Sequence, residues 1–305
     1  VTVCIAAIYE RSGVFSASDR MITAGDIQFE PPVEKVRYLT RSCLVMFAGD
    51  AAMQAEIIQA TQATLSEKIR QNPDEWLTIK SIAETYKDQM SVAILARSSR
   101  RVLSPLGLSM ESFLSRQRDF IPEFARDLTR ELLNYEGPQM DGIVCGIDTS
   151  GPHIYTVDNS SVNCRDHVGF AAIGAGYWHA NSQMMSFGHG PQASLADTLL
   201  NVFFAKKQAE IAPGVGEATD MYITTALGSS SELRENVAQE LEKRYAEEKR
   251  RQKRVANTSR QKIDTFVQGI LNAPPAQAQA ELPTPAEPIP PALEPPNPEQ
   301  HEEPN

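Results

Sequence analysis

Three pairs of short apolar runs, each joined by a tight turn, constrain this chain more than any other feature. Residues 3–9 and 14–18 flank Ser12-Gly13, residues 35–40 and 43–48 flank Arg41-Ser42, and residues 142–147 and 153–157 flank Thr149-Ser-Gly-Pro152. Connections this short join antiparallel neighbours, because a parallel crossover needs roughly a dozen residues or more. Helical patterns lie between the pairs. Asp50 is a candidate N-cap for a first helix with the stripe Ala51, Ala55, Ile58, Leu65 and Ile69, ended by Asn72-Pro73. The pattern predicts a second helix from Asp74 to about Arg97, an irregular stretch over 98–122, and a third helix over 122–135. Two more helices, over 177–186 and 192–210, precede a strand at 220–225. This order predicts an α+β fold: two antiparallel sheets packed face to face with helices outside. No repeat of solenoid period is present.

Beyond residue 228 the chain changes character. Residues 229–272 are rich in Glu, Gln, Lys and Arg and lack proline, which predicts a charged helical extension. Ser229, Ser230 and Ser231 are its candidate N-caps, and the basic cluster 249–254 reads as part of a solvated face. Residues 273–305 hold eleven of the twenty prolines and six glutamates, with no Lys, Arg or Gly. Such a segment cannot bury enough apolar surface to offset its ordering entropy, so a disordered Pro/Glu-rich tail is expected. The tail carries six of the ten formal negative charges, leaving about four on 1–272.

Net charge −10 and a pI near 5.1 argue against nucleic acid as a partner, which needs a basic face. No stretch approaches the ~18 apolar residues of a membrane span. The uncharged opening run lacks the basic flank and cleavage site of a secretory signal. The four cysteines show no CxxC spacing and read as buried thiols in a reducing compartment. A cytoplasmic protein with no membrane partner is expected.

The common cofactor and metal signatures are missing. Gly174-Ala-Gly176 lacks the third glycine of a dinucleotide loop, and there is no Walker loop, HExxH or GxSxG. The five histidines lie at spacings that suggest no metal site. Trp178 and Met184-Met185 read as packing residues. No cofactor and no metal are expected.

The candidate nucleophile is Thr2. Val1 reads as a literally translated GTG start codon, so initiator removal before the small threonine is expected to leave Thr2 with a free α-amine. A threonine hydroxyl is a poor nucleophile, and an α-amine with pKa near ~8 is a suitable base at neutral pH. Nucleophile and base then belong to one residue. A neighbouring cation would keep the amine partly neutral; Lys35 is the candidate, with Asp19 to hold and orient it.

Thr2-Val-Cys-Ile-Ala-Ala, Ser16-Ala-Ser-Asp19-Arg, Val33-Glu-Lys35-Val-Arg-Tyr-Leu39 and Met46-Phe-Ala-Gly-Asp50 resemble the start of 20S proteasome β subunits and the bacterial HslV peptidase. The family pattern is an N-terminal Thr, a strand ending in AxD, a Lys sixteen residues after that Asp, and an AG-ended strand leading into a helix. Lys35 follows Asp19 by sixteen. The resemblance continues at 142–158, 171–180 and 215–224, and so covers about 1–228.

The resemblance implies the N-terminal-nucleophile hydrolase fold, a four-layer αββα sandwich over 1–228. It implies a threonine-type endopeptidase that cuts unfolded polypeptide or peptide substrates through an acyl-enzyme on Thr2. In that reading Lys35 lowers the amine pKa, Asp19 partners it, the Met46 backbone N–H donates to the oxyanion, and Asp220 is a supporting acid near the amine. A self-compartmentalised homo-oligomeric ring is implied, with an ATP-dependent unfoldase as a possible partner. Three departures stand out: Met46 where the family places glycine, Ala175 where it places a serine, and Ile223 where a serine follows the supporting acid. Two alternatives stay open. One is an amidohydrolase of the same chemistry acting on a small amide; the other is an inactive ring-forming scaffold, which Met46 and Ala175 favour.

Overall fold

The computed structural model describes residues 2–24, 27–30 and 34–272; the tail expected over 273–305 lies outside the described residues. The first hairpin joins β1 (Cys4–Tyr9) to β2 (Gly13–Asp19), in register from Cys4 opposite Ser18 to Tyr9 opposite Gly13. Its turn comes earlier than Ser12-Gly13. Glu10 and Arg11 have φ of 49° and 50°, and the Ser12 N–H donates to the Tyr9 carbonyl at 2.9 Å. Two successive left-handed residues give the turn whose twist matches the strands it joins. Their N–H groups donate to the Ala193 and Pro191 carbonyls, which holds non-glycine residues in that conformation. Gly13 serves packing instead: a Cβ there would meet the Tyr9 ring at 2.1 Å.

A ribbon of β3 (Ile22–Ala24) and β4 (Ile27–Phe29) follows, then β5 (Val36–Thr40) and β6 (Cys43–Ala48). Four helices come next: α1 (Ala51–Gln71), α2 (Ile79–Val102), α3 (Met110–Ser115) and α4 (Pro122–Leu133). After them come β7 (Asp141–Asp148), β8 (Gly151–Val157), β9 (Val162–Cys164) and β10 (Phe170–Ile173). The described chain ends with α5 (Tyr177–Ser186), α6 (Leu195–Ala209), β11 (Thr219–Thr225), β12 (Ser229–Glu232) and α7 (Glu235–Leu271). The strands form two five-stranded sheets in the orders β10-β1-β2-β11-β12 and β5-β6-β7-β8-β9. Every neighbour is antiparallel, as the short turns predict.

The side chains of β1 explain why its sequence is apolar throughout. Val3, Ile5 and Ala7 join one core cluster with Phe203 and Ala209 of α6. Cys4, Ala6 and Ile8 join another that mixes residues of both sheets, including Leu44, Met46, Ile143 and Ile154. Alternate residues point to opposite faces, so a strand buried on both faces cannot alternate with polar residues. A third cluster packs Met53, Ile57 and Leu65 of α1 and Ile82 and Tyr86 of α2 onto Val45 and Val144.

Several element limits differ from the sequence expectation. The second helix starts at Ile79, not Asp74, because Thr78 caps it and the Ile79 N–H donates to Asp148 Oδ2 at 2.8 Å. It runs on to Val102, into the stretch expected to be irregular. That stretch also contains α3, opened by a Ser109–Ser112 capping box, and its Leu103 and Phe113 form a small core with Leu128 of α4. Ser229, Ser230 and Ser231 are not helix caps: they lie in β12, paired with Thr225, Thr224 and Ile223. Trp178 and Met185 are exposed, and only Met184 packs inside; helical position sets which of the adjacent methionines faces the core. Cys164 is likewise exposed, on the short edge strand β9, whereas Cys4, Cys43 and Cys145 are buried.

The chain forms two compact units, meeting between Glu248 and Lys249. The first extends past residue 228 because β12 pairs with β11 and Leu241 of α7 joins the α6 core cluster. The described part of the second, residues 249–272, is helical to Leu271 and exposed. Among the described residues no helix is long and apolar enough to cross a membrane.

A charged link ties the second sheet to the start of α2. His153 Nδ1 is 2.7 Å from Asp166 Oδ2, and its Nε2 is 2.7 Å from Ser150 Oγ and 3.2 Å from Asp148 Oδ1. The Asp166 hydrogen bond, aided by the charges of both carboxylates and opposed by burial, raises the imidazole pKa above its ordinary value. The folded state therefore favours the protonated ring. That stabilisation is complete below the unfolded value near ~6.5 and disappears as pH rises through the higher folded value. His153→Gln is expected to cost about 1 kcal/mol at pH 6 and clearly less at pH 9 in urea unfolding. An equal loss at both pH values would discard the charged link.

Candidate active site

Thr2 precedes β1, Asp19 ends β2, and Lys35 stands one residue before β5. Backbone pairing draws the three together from both sheets. The Asp19 N–H donates to the Val3 carbonyl at 3.1 Å, and the Phe47 N–H of β6 donates to the Lys35 carbonyl at 3.3 Å. All three side chains are buried, Thr2 at 3%, Asp19 at 0% and Lys35 at 7% exposure.

Asp19 organises the cluster. Its Oδ1 accepts the Val3 N–H at 2.9 Å, the Lys35 ammonium at 2.9 Å and the Thr2 hydroxyl. Its Oδ2 accepts the N–H groups of Gly216 at 2.9 Å and Met21 at 3.1 Å. The Lys35 ammonium also donates to Thr2 Oγ1, so that oxygen lies between a cation and a carboxylate. Burying a charge pair is costly unless its remaining polar groups are satisfied, and here backbone donors supply that satisfaction.

The Gly174-Ala175-Gly176 turn that fails as a nucleotide loop closes on the nucleophile's own residue. Gly176 N–H donates to the Thr2 carbonyl at 3.2 Å, and a Cβ on Gly174 (φ 85°) would lie 2.3 Å from that oxygen. Ala175 is exposed and brings no hydroxyl to the cluster. Cys4, two residues on, is not a competing nucleophile, because burial pushes its thiol up to about 12 despite the opposing charge of Lys35.

A cavity of about 620 Å³ opens beside Thr2 and Lys35, with Met21, Phe47, Gly49 and Gln59 in its wall. Met46 is not among the lining residues. It is fully buried in the core shared by the sheets. Because Phe47 directs its N–H to β5, the N–H of Met46 points the other way, toward Ile143 on β7. The residue that sequence reasoning missed is Gly49, which lines the cavity at φ 112°. A Cβ there would lie 2.4 Å from the Gln139 carbonyl oxygen. Its signal was present in Ala48-Gly49, the point where the strand stops before the N-cap Asp50.

Asp220 has a partner that the sequence reading did not name. It is buried on β11 opposite Ser18 and paired with Arg20, whose Nε donates to Oδ1 at 2.7 Å. None of the hydrogen bonds among the described residues joins it to Thr2. Asp220 lies opposite Ser18, which lies opposite Cys4, so strand alternation puts it on the sheet face of Cys4 and Thr2; there Arg20 takes its Oδ1, and its buried Oδ2 has no hydrogen-bond partner among the described residues. Among the described residues no group of three or more His, Cys, Asp or Glu is arranged to hold a metal ion. No protein-family model matches the chain, and no curated protein matches it at a significant level.

Proposed function

We propose that this chain is a threonine-type N-terminal-nucleophile peptidase of the proteasome kind, with an αββα sandwich as its fold. One observation carries the reading: Thr2 Oγ1 is hydrogen-bonded to both the Lys35 ammonium and the Asp19 carboxylate, beside a cavity that can admit a substrate side chain. The sandwich is supported by the core cluster shared between the sheets and by the helix-lined clusters on their other faces.

In this mechanism Thr2 is the first residue of the active chain. Its Oγ attacks the peptide carbonyl carbon while its α-amine takes the hydroxyl proton. The carbonyl electrons form an oxyanion, for which this mechanism takes the backbone N–H of Gly49, a residue of the cavity wall, as donor. The C–N bond breaks, the leaving amine takes the proton from the α-ammonium, and an ester on Thr2 remains. Water then adds to the ester, releasing the acid and restoring the hydroxyl. Lys35 stabilises negative charge on Oγ and keeps the amine partly neutral.

Two measurements test this. Intact mass reads whether the chain starts at Thr2, and incubation with a β-lactone should add one inhibitor mass on Thr2. Cleavage of unfolded casein, compared with a small acyl amide, separates peptidase from amidohydrolase. A ring is proposed as the assembly, and sedimentation showing only a 33.6 kDa species would remove it. The scaffold reading is favoured by the missing hydroxyl at Ala175, and failure of the properly trimmed chain to react with the β-lactone would establish it.

A further inference from the structure

Lys206 is a fully buried cation that the proposed chemistry does not use. It lies on α6, and its ammonium donates to Glu210 Oε1 at 2.6 Å, the Gly216 carbonyl at 2.9 Å and the Glu217 carbonyl at 2.6 Å. Burial pulls its pKa below the ordinary lysine value, with Glu210 opposing. An apolar side chain of similar length would fill this space without desolvating a charge. What the ammonium supplies is the fixed position of two carbonyls in the loop between α6 and β11.

That loop reaches the active cluster. Gly216, whose carbonyl Lys206 holds, directs its N–H to Asp19 Oδ2 at 2.9 Å. The loop passes so close to Glu30 that a Cβ on Gly216 would lie 1.8 Å from its carboxylate oxygen. The contacts are continuous: α6 ammonium, Gly216, Asp19, then Lys35 and Thr2.

We propose that Lys206 is a positioning residue, whose ammonium pins Gly216 and Glu217 so that the Gly216 N–H fixes the Asp19 carboxylate under Thr2 and Lys35. The inference rests on the proposed function for its catalytic consequence, and on the hydrogen-bond geometry alone for its structural one. It assigns Lys206 no contact with substrate. Its loss should slow acylation without weakening substrate binding, because the cavity wall is untouched.

The experiment uses the full chain and the variants Lys206→Met and Glu210→Gln. Amide hydrogen exchange of Gly216 is read by NMR, beside that of Ala6 and Val144 in the two sheets. The rate of Thr2 acylation by a β-lactone is read by mass, and kcat and KM are read on a peptide. In Lys206→Met, Gly216 should exchange at least about tenfold faster while Ala6 and Val144 keep their protection. Acylation and kcat should fall about tenfold with KM unchanged, the effect of misplacing rather than deleting a reacting group. Glu210→Gln keeps both carbonyl contacts and should change either readout less than twofold. If Lys206→Met does not fold, Lys206→Gln, which retains N–H donors, should give the same pattern at smaller size.

Unchanged Gly216 protection, or a loss spread evenly over the sheets, would overturn the proposal. So would a loosened Gly216 with undiminished acylation. A wild-type chain that starts at Thr2 yet is never acylated would instead sink the proposed function, and the exchange data would still decide whether Lys206 holds Gly216.

Discussion

Thr2→Ala is expected to abolish β-lactone labelling and peptide turnover, a loss of at least about 10³-fold, because no side-chain oxygen remains to attack. Thr2→Ser should retain part of the activity, since hydroxyl and α-amine both persist. Lys35→Ala should fall nearly as far as Thr2→Ala, because the ammonium that donates to Oγ1 and to Asp19 is gone. Lys35→Arg should fail as well: a planar guanidinium does not fit a buried site shaped for a compact ammonium. The sharpest variant keeps every side chain and leaves one extra residue before Thr2. The amine then becomes an amide with no basicity. Mass spectrometry of the adduct and steady-state kinetics read all of these, and full activity of the extended chain would exclude the mechanism.

Asp19→Ala is expected to produce the largest loss of stability from a single side chain in the cluster. It removes the acceptor for three backbone N–H groups, those of Val3, Met21 and Gly216, and strands the Lys35 ammonium in a buried position. Breaking a buried pair from one side costs about 3–5 kcal/mol, a large share of a domain's ~5–15 kcal/mol. Asp19→Asn should lose less, on the order of 2 kcal/mol: its amide oxygen replaces one carboxylate oxygen, while its NH2 must face donors. The double variant Asp19→Ala/Lys35→Met should be more stable than the sum of the singles, because it removes the stranded charge. Urea unfolding of the wild type, Asp19→Ala, Asp19→Asn, Lys35→Met and the double variant measures this. Asp19→Ala with wild-type stability would refute the structural role given to the carboxylate.

The sequence alone determined the features that depend on neighbouring residues. Short turns between apolar runs dictated antiparallel pairing, and Asp50 after Ala48-Gly49 marked where β6 gives way to α1. Thr2, Asp19 and Lys35 were legible in another way, through the chemistry of an N-terminal threonine and the sixteen-residue Asp-to-Lys spacing that carried the resemblance; each stands at or beside a strand end. Turn position, helix start and side-chain direction were decided elsewhere. Contacts with Ala193 and Pro191 moved the first turn onto Glu10-Arg11, and a carboxylate on β7 helped set the start of α2. Sheet register turned the Met46 N–H toward β7 and set the Asp220 carboxylate beside Arg20. Lys206 carries no motif at all, because its partners lie in a loop and its effect reaches Asp19 only through Gly216. Local chemistry writes propensities and turns into the sequence, whereas the direction in which a buried polar group points is set by distant residues that pack around it, and only the tertiary structure decides that.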